Sequence, residues 1–127
     1  MRKISFRAWD KIRKIMYTGL PYSNAGSDGR DNFPRVLKHP MIYVVMQYTG
    51  LTDKNGVRIY EGDIIEAGNY KLTCKIVWDE KCARFIGLTN DEDTKLVYID
   101  MVDKNNNSAV AVIGNIYENP ELFNPQN

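Results

Sequence analysis

The chain has 127 residues, 43% hydrophobic and 26% charged, with eight Tyr, four Phe and two Trp. This length suits one domain or two small interlocked lobes, and the aromatic content excludes a disordered chain. The formal net charge of +1 conceals a split: residues 1–40 hold nine Lys and Arg against three Asp and Glu (+6), and residues 41–127 hold eight against thirteen (−5).

Met1-Arg2-Lys3-Ile4-Ser5-Phe6 is basic but leads into no apolar run, so it is not read as a secretory signal. No later run approaches the roughly 20 apolar residues of a membrane helix. A cytoplasmic protein with no membrane partner is expected. Ile4, Phe6 and Ala8 alternate with Ser5, Arg7 and Trp9, the period of a strand. Asp10-Lys11-Ile12-Arg13-Lys14 reads as a polar turn, and Ile15 to Thr18 as the return strand. This hairpin has a basic tip in which Ile12 is exposed. Residues 19–35 are rich in Gly and polar residues and read as a flexible loop.

Met41 to Tyr48 is β-branched and aromatic, a central strand. Asp53-Lys54-Asn55-Gly56 is a hairpin turn, because Asn and Gly both tolerate positive φ. Val57 to Tyr60 is its return strand. Glu61-Gly62-Asp63 breaks it, with the Asp63 side chain expected to bond local backbone N–H groups. Leu72, Cys74, Ile76 and Trp78 alternate with mostly polar residues, which places all four, Trp78 included, in the core. After an Asp79-Glu80-Lys81 turn, Ala83 to Leu88 pairs back. Asn90 to Asp93 is an acidic loop. Leu96 to Val102 fits either a strand or a helical turn. Lys104 to Ser108 is a loop, and Val110 to Tyr117 the last strand. There Gly114 permits a bulge or a close approach, and Asn119-Pro120 sends Leu122 and Phe123 back to cover an edge.

Many short strands and no long 3.6-residue period indicate an all-β, mainly antiparallel fold. It is read as a β-meander over residues 1–56, with a mobile loop at 20–35, followed by a small SH3-like barrel over residues 57–127. The two are expected to pack as one compact unit with at most short helical turns.

Chemistry-bearing patterns are sparse. The single histidine, His39, precedes Pro40 without a nucleophile motif. Glu61 and Asp63 flank a glycine and serve the turn better than a hydrolytic pair. Cys74 and Cys82 flank a hairpin whose register places Cys74 opposite a residue near 87, so they read as free thiols. Two Cys and one His make no zinc site, and there is no phosphate-binding loop, so no cofactor or metal is expected.

Several blocks recur in a recognisable order. They are Phe6-Arg7-Ala8-Trp9-Asp10, Gln47-Tyr48-Thr49-Gly50-Leu51 with Asp53-Lys54-Asn55-Gly56, Ile59-Tyr60-Glu61-Gly62-Asp63-Ile64, Val77-Trp78-Asp79, and Val112-Ile113-Gly114-Asn115-Ile116-Tyr117-Glu118-Asn119-Pro120-Glu121-Leu122. Together they resemble the YopX family of phage and prophage proteins. The resemblance implies a small β-rich fold and a phage or prophage origin. It implies no established activity and no catalytic residues to carry over.

The expected function is therefore that of a non-catalytic, self-associating binding or scaffold protein, forming a homo-oligomer and touching a phage or host protein. Arg7, Trp9, Arg13, Lys14, Gln47 and Tyr48 are its candidate interaction residues. A second reading uses the same basic hairpin and Trp9 to bind single-stranded nucleic acid. A third is an enzyme with an unusual site involving Glu61, Asp63 and Tyr117.

Overall fold

A computed structural model of the chain describes residues 3–68, 72–90, 95–96, 99–100 and 102–124. The chain divides into two compact units, Met1–Tyr48 and Thr49–Asn127. Residues 41–48 carry no charge, so the +6 excess belongs to the first unit and the −5 excess to the second.

In the first unit, β1 (Phe6–Asp10) lies between β2 (Ile15–Leu20) and the opening half of β3 (Tyr43–Thr52), antiparallel to both. This central position explains the burial of Arg7, Ala8, Trp9 and Asp10 in succession. Both faces of β1 are covered, so its alternating pattern has no solvent side. The core joins Ala8, Leu20, Ala25, Val36 and Tyr43. Residues 19–35 carry more structure than their composition suggested. Ala25 and Asp31 form a β-bridge, and Asn32 caps a short helix, α1 (Phe33–Leu37). The Asn32 side-chain oxygen accepts a hydrogen bond from Arg35 N at 3.0 Å, and Pro34 pre-sets the first turn. Phe33 stacks on Phe6 at 4.8 Å between ring centroids, and Val36 is buried. Five residues are too short to show a helical period, which is why composition alone hid this helix.

In the second unit, the end of β3 neighbours β4 (Arg58–Tyr60), and Thr49 Oγ1 donates to the Ile59 carbonyl at 2.8 Å. The turn between them is built on Asp53. Its Oδ1 accepts from Asn55 N and Val57 N, both at 2.8 Å, while Gly56 supplies the left-handed residue at φ +80°. At the next turn, Asp63 Oδ2 accepts from Tyr60 N at 2.8 Å, as its position predicted.

β5 (Asp63–Ala67), β6 (Leu72–Asp79), β7 (Arg84–Leu88), β8 (Lys95–Leu96) and β9 (Val110–Asn115) make a five-stranded antiparallel sheet in the order β8-β7-β6-β5-β9. One face buries Ile65, Ala67, Cys74, Ile76 and Val110 with Ile59 and Ile99. The all-β, antiparallel expectation holds, and among the described residues the helical content is limited to α1 and a 3-10 turn at Pro120–Leu122.

Two details of the second unit differ from the expectation. The β6–β7 loop is four residues, Glu80 to Ala83, because Asp79 pairs with Arg84 and Ala83 takes φ +53°. Lys75 then faces Leu88, which puts Cys74 level with Thr89 rather than residue 87. The acidic loop at 91–93 lies outside the described residues, as does part of Leu96 to Val102. Within that stretch Ile99 is buried and Val102 bridges to Ser108.

The closing segment is held by its own polar groups. Ile64 faces Gly114 while Ile65 faces Val112, so Ile113 is the extra residue of a bulge. A Cβ on Gly114 would lie 2.6 Å from Asn119 Oδ1, so the close approach also requires glycine. Asn115 Oδ1 accepts from Tyr117 N at 3.0 Å and Glu118 N at 2.8 Å. Phe123 is buried under Lys75, whose Nζ lies 5.2 Å from the ring centroid, whereas Leu122 stays exposed.

Asp53 and Asp103 provide an internal comparison, since both open an Asp-Lys-Asn turn. Asp103 makes only local bonds, to Asn105 N at 2.8 Å and Asn107 N at 3.1 Å, and is exposed. Asp53 is buried, and its Oδ2 also accepts from Val112 N on β9 at 2.9 Å. Asp53→Ala is expected to cost about 2–3 kcal/mol in urea unfolding, and Asp103→Ala about 1 kcal/mol or less. Gly114→Ala is expected to cost about 1–3 kcal/mol by the same measurement, through overpacking against Asn119.

Candidate interaction surfaces

Among the described residues, three surface features bear on function. The first is the β1–β2 turn. Asp10 ends β1 fully buried, and its Oδ1 accepts from Ile12 N and Arg13 N, both at 2.9 Å. Its Oδ2 meets Arg13 Nη1 at 3.3 Å. Lys14 closes the turn at φ +61° and donates its N–H to the Asp10 carbonyl at 2.8 Å. The turn is therefore pinned from below. It presents Lys11, Ile12, Arg13 and Lys14 outward, with Ile12 72% exposed.

The candidate interaction residues divide accordingly. Arg13 and Lys14 stand at this exposed turn. Arg7, Trp9 and Tyr48 are buried, Trp9 to 6% exposure, and Gln47 is partly buried opposite Phe6. The six do not share one open surface. β1 is covered on both faces, so its Arg and Trp face protein rather than solvent.

The second feature is a cleft of about 150 Å³ in the first unit, lined by Asp10, Arg13, Asp28, Asp31, Tyr43 and their neighbours. Its polar groups are engaged with one another. Tyr43 donates its hydroxyl to Asp31 Oδ2 at 2.6 Å, Arg35 Nε lies 3.4 Å from Asp31 Oδ1, and Arg30 Nε lies 3.1 Å from Asp28 Oδ2. Burial, then the hydrogen bond to Asp31, hold the Tyr43 hydroxyl well above its ordinary range, so it stays protonated as a donor. The cleft acts as a polar joint between strand and loop. Among the described residues no group of three or more His, Cys, Asp and Glu is placed to hold a metal ion.

The third feature was not legible in the pattern. Trp78 was expected in the core and is 44% exposed. The apolar face of β6 is covered only at Cys74 and Ile76. Leu72 and Trp78, at the two ends of the strand, extend past the core. Trp78 is steadied by Phe85, its cross-strand partner, with ring centroids 4.9 Å apart at 69°. Beside it a groove of about 330 Å³ is lined by Val77, Trp78, Ile86 and Leu88, with Asp79, Glu80 and Lys81 at the turn. A half-exposed indole next to an apolar groove is the composition of an interaction anchor. The only available signal was its place at the strand's end, one residue before the turn.

The residues weighed for catalysis remain apart from these features. Asp63 is buried and bonded to Tyr60 N, and His39 is exposed, with its backbone in the turn that follows α1. Cys74 is buried and Cys82 exposed in the β6–β7 loop, both as free thiols. Burial pushes the Cys74 thiol up to about 11.

Comparison with known proteins places the chain. The sequence profile of the YopX family, described as YopX protein, matches residues 5–124. A crystal structure of protein EF1440 from Enterococcus faecalis is similar over 97% of this chain and 99% of that one, with 30% identity and a TM-score of 0.59. No curated protein matches the chain. No helix among the described residues is long and apolar enough to cross a membrane.

The two thiols should separate in experiment. A thiol-specific reagent at neutral pH is expected to label Cys82 promptly and Cys74 only on unfolding, read by mass spectrometry of the digested protein. A raised acid pKa means that the folded state holds the Cys74 proton more tightly than the unfolded state. Its contribution to stability is therefore present below pH 9.0, the ordinary value, and is lost as pH rises through about 11. Unfolding titrations of wild type and Cys74→Ala should diverge in slope above pH 9 and run parallel below it.

Proposed function

With the chain a member of the YopX family, we propose that it is a non-catalytic binding protein of a phage or prophage, acting in the cytoplasm of the host. Its anchor on this reading is the Trp78 groove. The proposed role is that of a self-associating scaffold that also contacts a phage or host protein, with the curled second-unit sheet as a small barrel-like platform.

The single observation carrying this reading is the half-exposed Trp78 beside an apolar groove at a hairpin end. Elsewhere, the conspicuous polar side chains are engaged in the fold. Asp10, Asp53, Asp63 and Asn115 hold backbone N–H groups, and Asp31 holds Tyr43. An acid or base needs a free lone pair or proton directed at a substrate. These groups direct theirs at the backbone and at one another. An exposed indole, by contrast, gains from further burial, and Trp is the residue type that most often dominates interface energies.

Tagged wild-type protein recovered from lysogenic or infected cells is expected to retain partners that Trp78→Ala loses. Truncating an anchoring Trp typically costs about 2 kcal/mol or more, roughly a 30-fold loss of affinity. The variant should remain folded, because Trp78 lies outside the buried core. Equal capture by the two proteins would remove the groove from the account.

A further inference from the structure

We propose that the Trp78 groove receives the β1–β2 turn of a second copy of this chain, with Ile12 as the inserted side chain. This rests on the binding reading above and names the occupant of the same site.

The two surfaces complement each other in shape and charge. The turn is an apolar knob, Ile12, set among Lys11, Arg13 and Lys14. The groove is an apolar recess of about 330 Å³ with Trp78 at its edge. Its volume holds one branched aliphatic side chain and leaves room for the methylene stems of neighbouring lysines. At its mouth Asp79 and Glu80 outnumber Lys81, and the unit that bears it has a net charge of −5 against +6 on the unit that bears the turn. That opposition steers one copy's turn towards another copy's groove and disfavours turn against turn.

The knob is also pre-organised. Asp10 fixes the backbone at Ile12 and Arg13 through two bonds made from beneath and holds the Arg13 guanidinium with a third, so little conformational freedom remains to be lost on insertion. Ile12 is too exposed to contribute to the core, yet it is an aliphatic residue held up among cations. Each copy carries one turn, in its first unit, and one groove, in its second. Two copies that exchange turns close an isologous pair, whereas one-way insertion is heterologous and extends into a ring or chain.

Light scattering on the purified full chain tests this. Wild type at about 0.1 mM, where a complex of ~10 µM affinity is mostly formed, is expected to exceed the 14.6 kDa of one chain and to dissociate as salt rises. Ile12→Asp and Trp78→Ala should each weaken association by about 30-fold or more. A mixture of these two variants should associate again, because one supplies an intact groove and the other an intact turn. Glu80→Lys, at an exposed position that leaves Trp78 in place, should also weaken association, and adding Lys11→Glu protein should restore it. A monomeric wild type, an Ile12→Asp protein that associates normally, or a mixture that stays monomeric would each overturn the proposal. A monomer that still captures a phage or host protein through Trp78 would overturn this inference and the self-association, while leaving the Trp78 contact with that protein intact.

Discussion

The second unit depends on one carboxylate. Asp53 sits where β3 turns into β4, and its two oxygens act in two directions. Oδ1 closes the local turn through Asn55 and Val57, and Oδ2 reaches Val112 on β9, 59 residues later in the chain. Lys54 N adds a backbone bond to the Val110 carbonyl at 3.0 Å. β9 is the end strand of its sheet, paired with β5 on one side. The Asp53 turn therefore meets the N–H and C=O groups of an edge that would otherwise lack a partner. A buried carboxylate is costly without full hydrogen bonding. Three backbone donors meet that requirement, and in doing so they tie a local hairpin to a distant strand.

The same device recurs at several other described turns. Asp10, Asp63, Asp103 and Asn115 each direct a side-chain oxygen at nearby backbone N–H groups. A small β-protein has many turns and little core, so its polar side chains replace the ladder bonds that strands lose where they stop. Among the described residues, two hairpin ends present exposed apolar side chains: Trp78 at one, and Ile12 among Lys and Arg at another.

The sequence was most legible where local rules suffice. The Asp53–Gly56 turn, the Asp63 bond to Tyr60 and the glycine at 114 follow from side-chain reach and backbone freedom within a few residues. The blocks around them were enough to point to the family that the profile match bears out. Three features resisted for identifiable reasons. Helix α1 is shorter than two turns and leaves no periodic trace. Trp78 sits on an alternating strand, and alternation assigns a face without saying whether anything covers it. The four-residue β6–β7 loop contains Ala83 at positive φ, where no Gly or Asn signals the turn.

What the sequence by itself determined was the class of object: an all-β, antiparallel protein with its charge split along the chain and its turns built from Asp, Asn and Gly. These follow from periods and propensities that act over a few residues. Only the tertiary structure decided which of two similar tryptophans is core and which is surface. Strand order places β1 between two neighbours, so Trp9 is enclosed, while Trp78 stands at a hairpin end past the last buried pair of β6. Burial depends on which strands become neighbours, and that is set by contacts such as Asp53 to Val112, whose partners lie far apart in the chain.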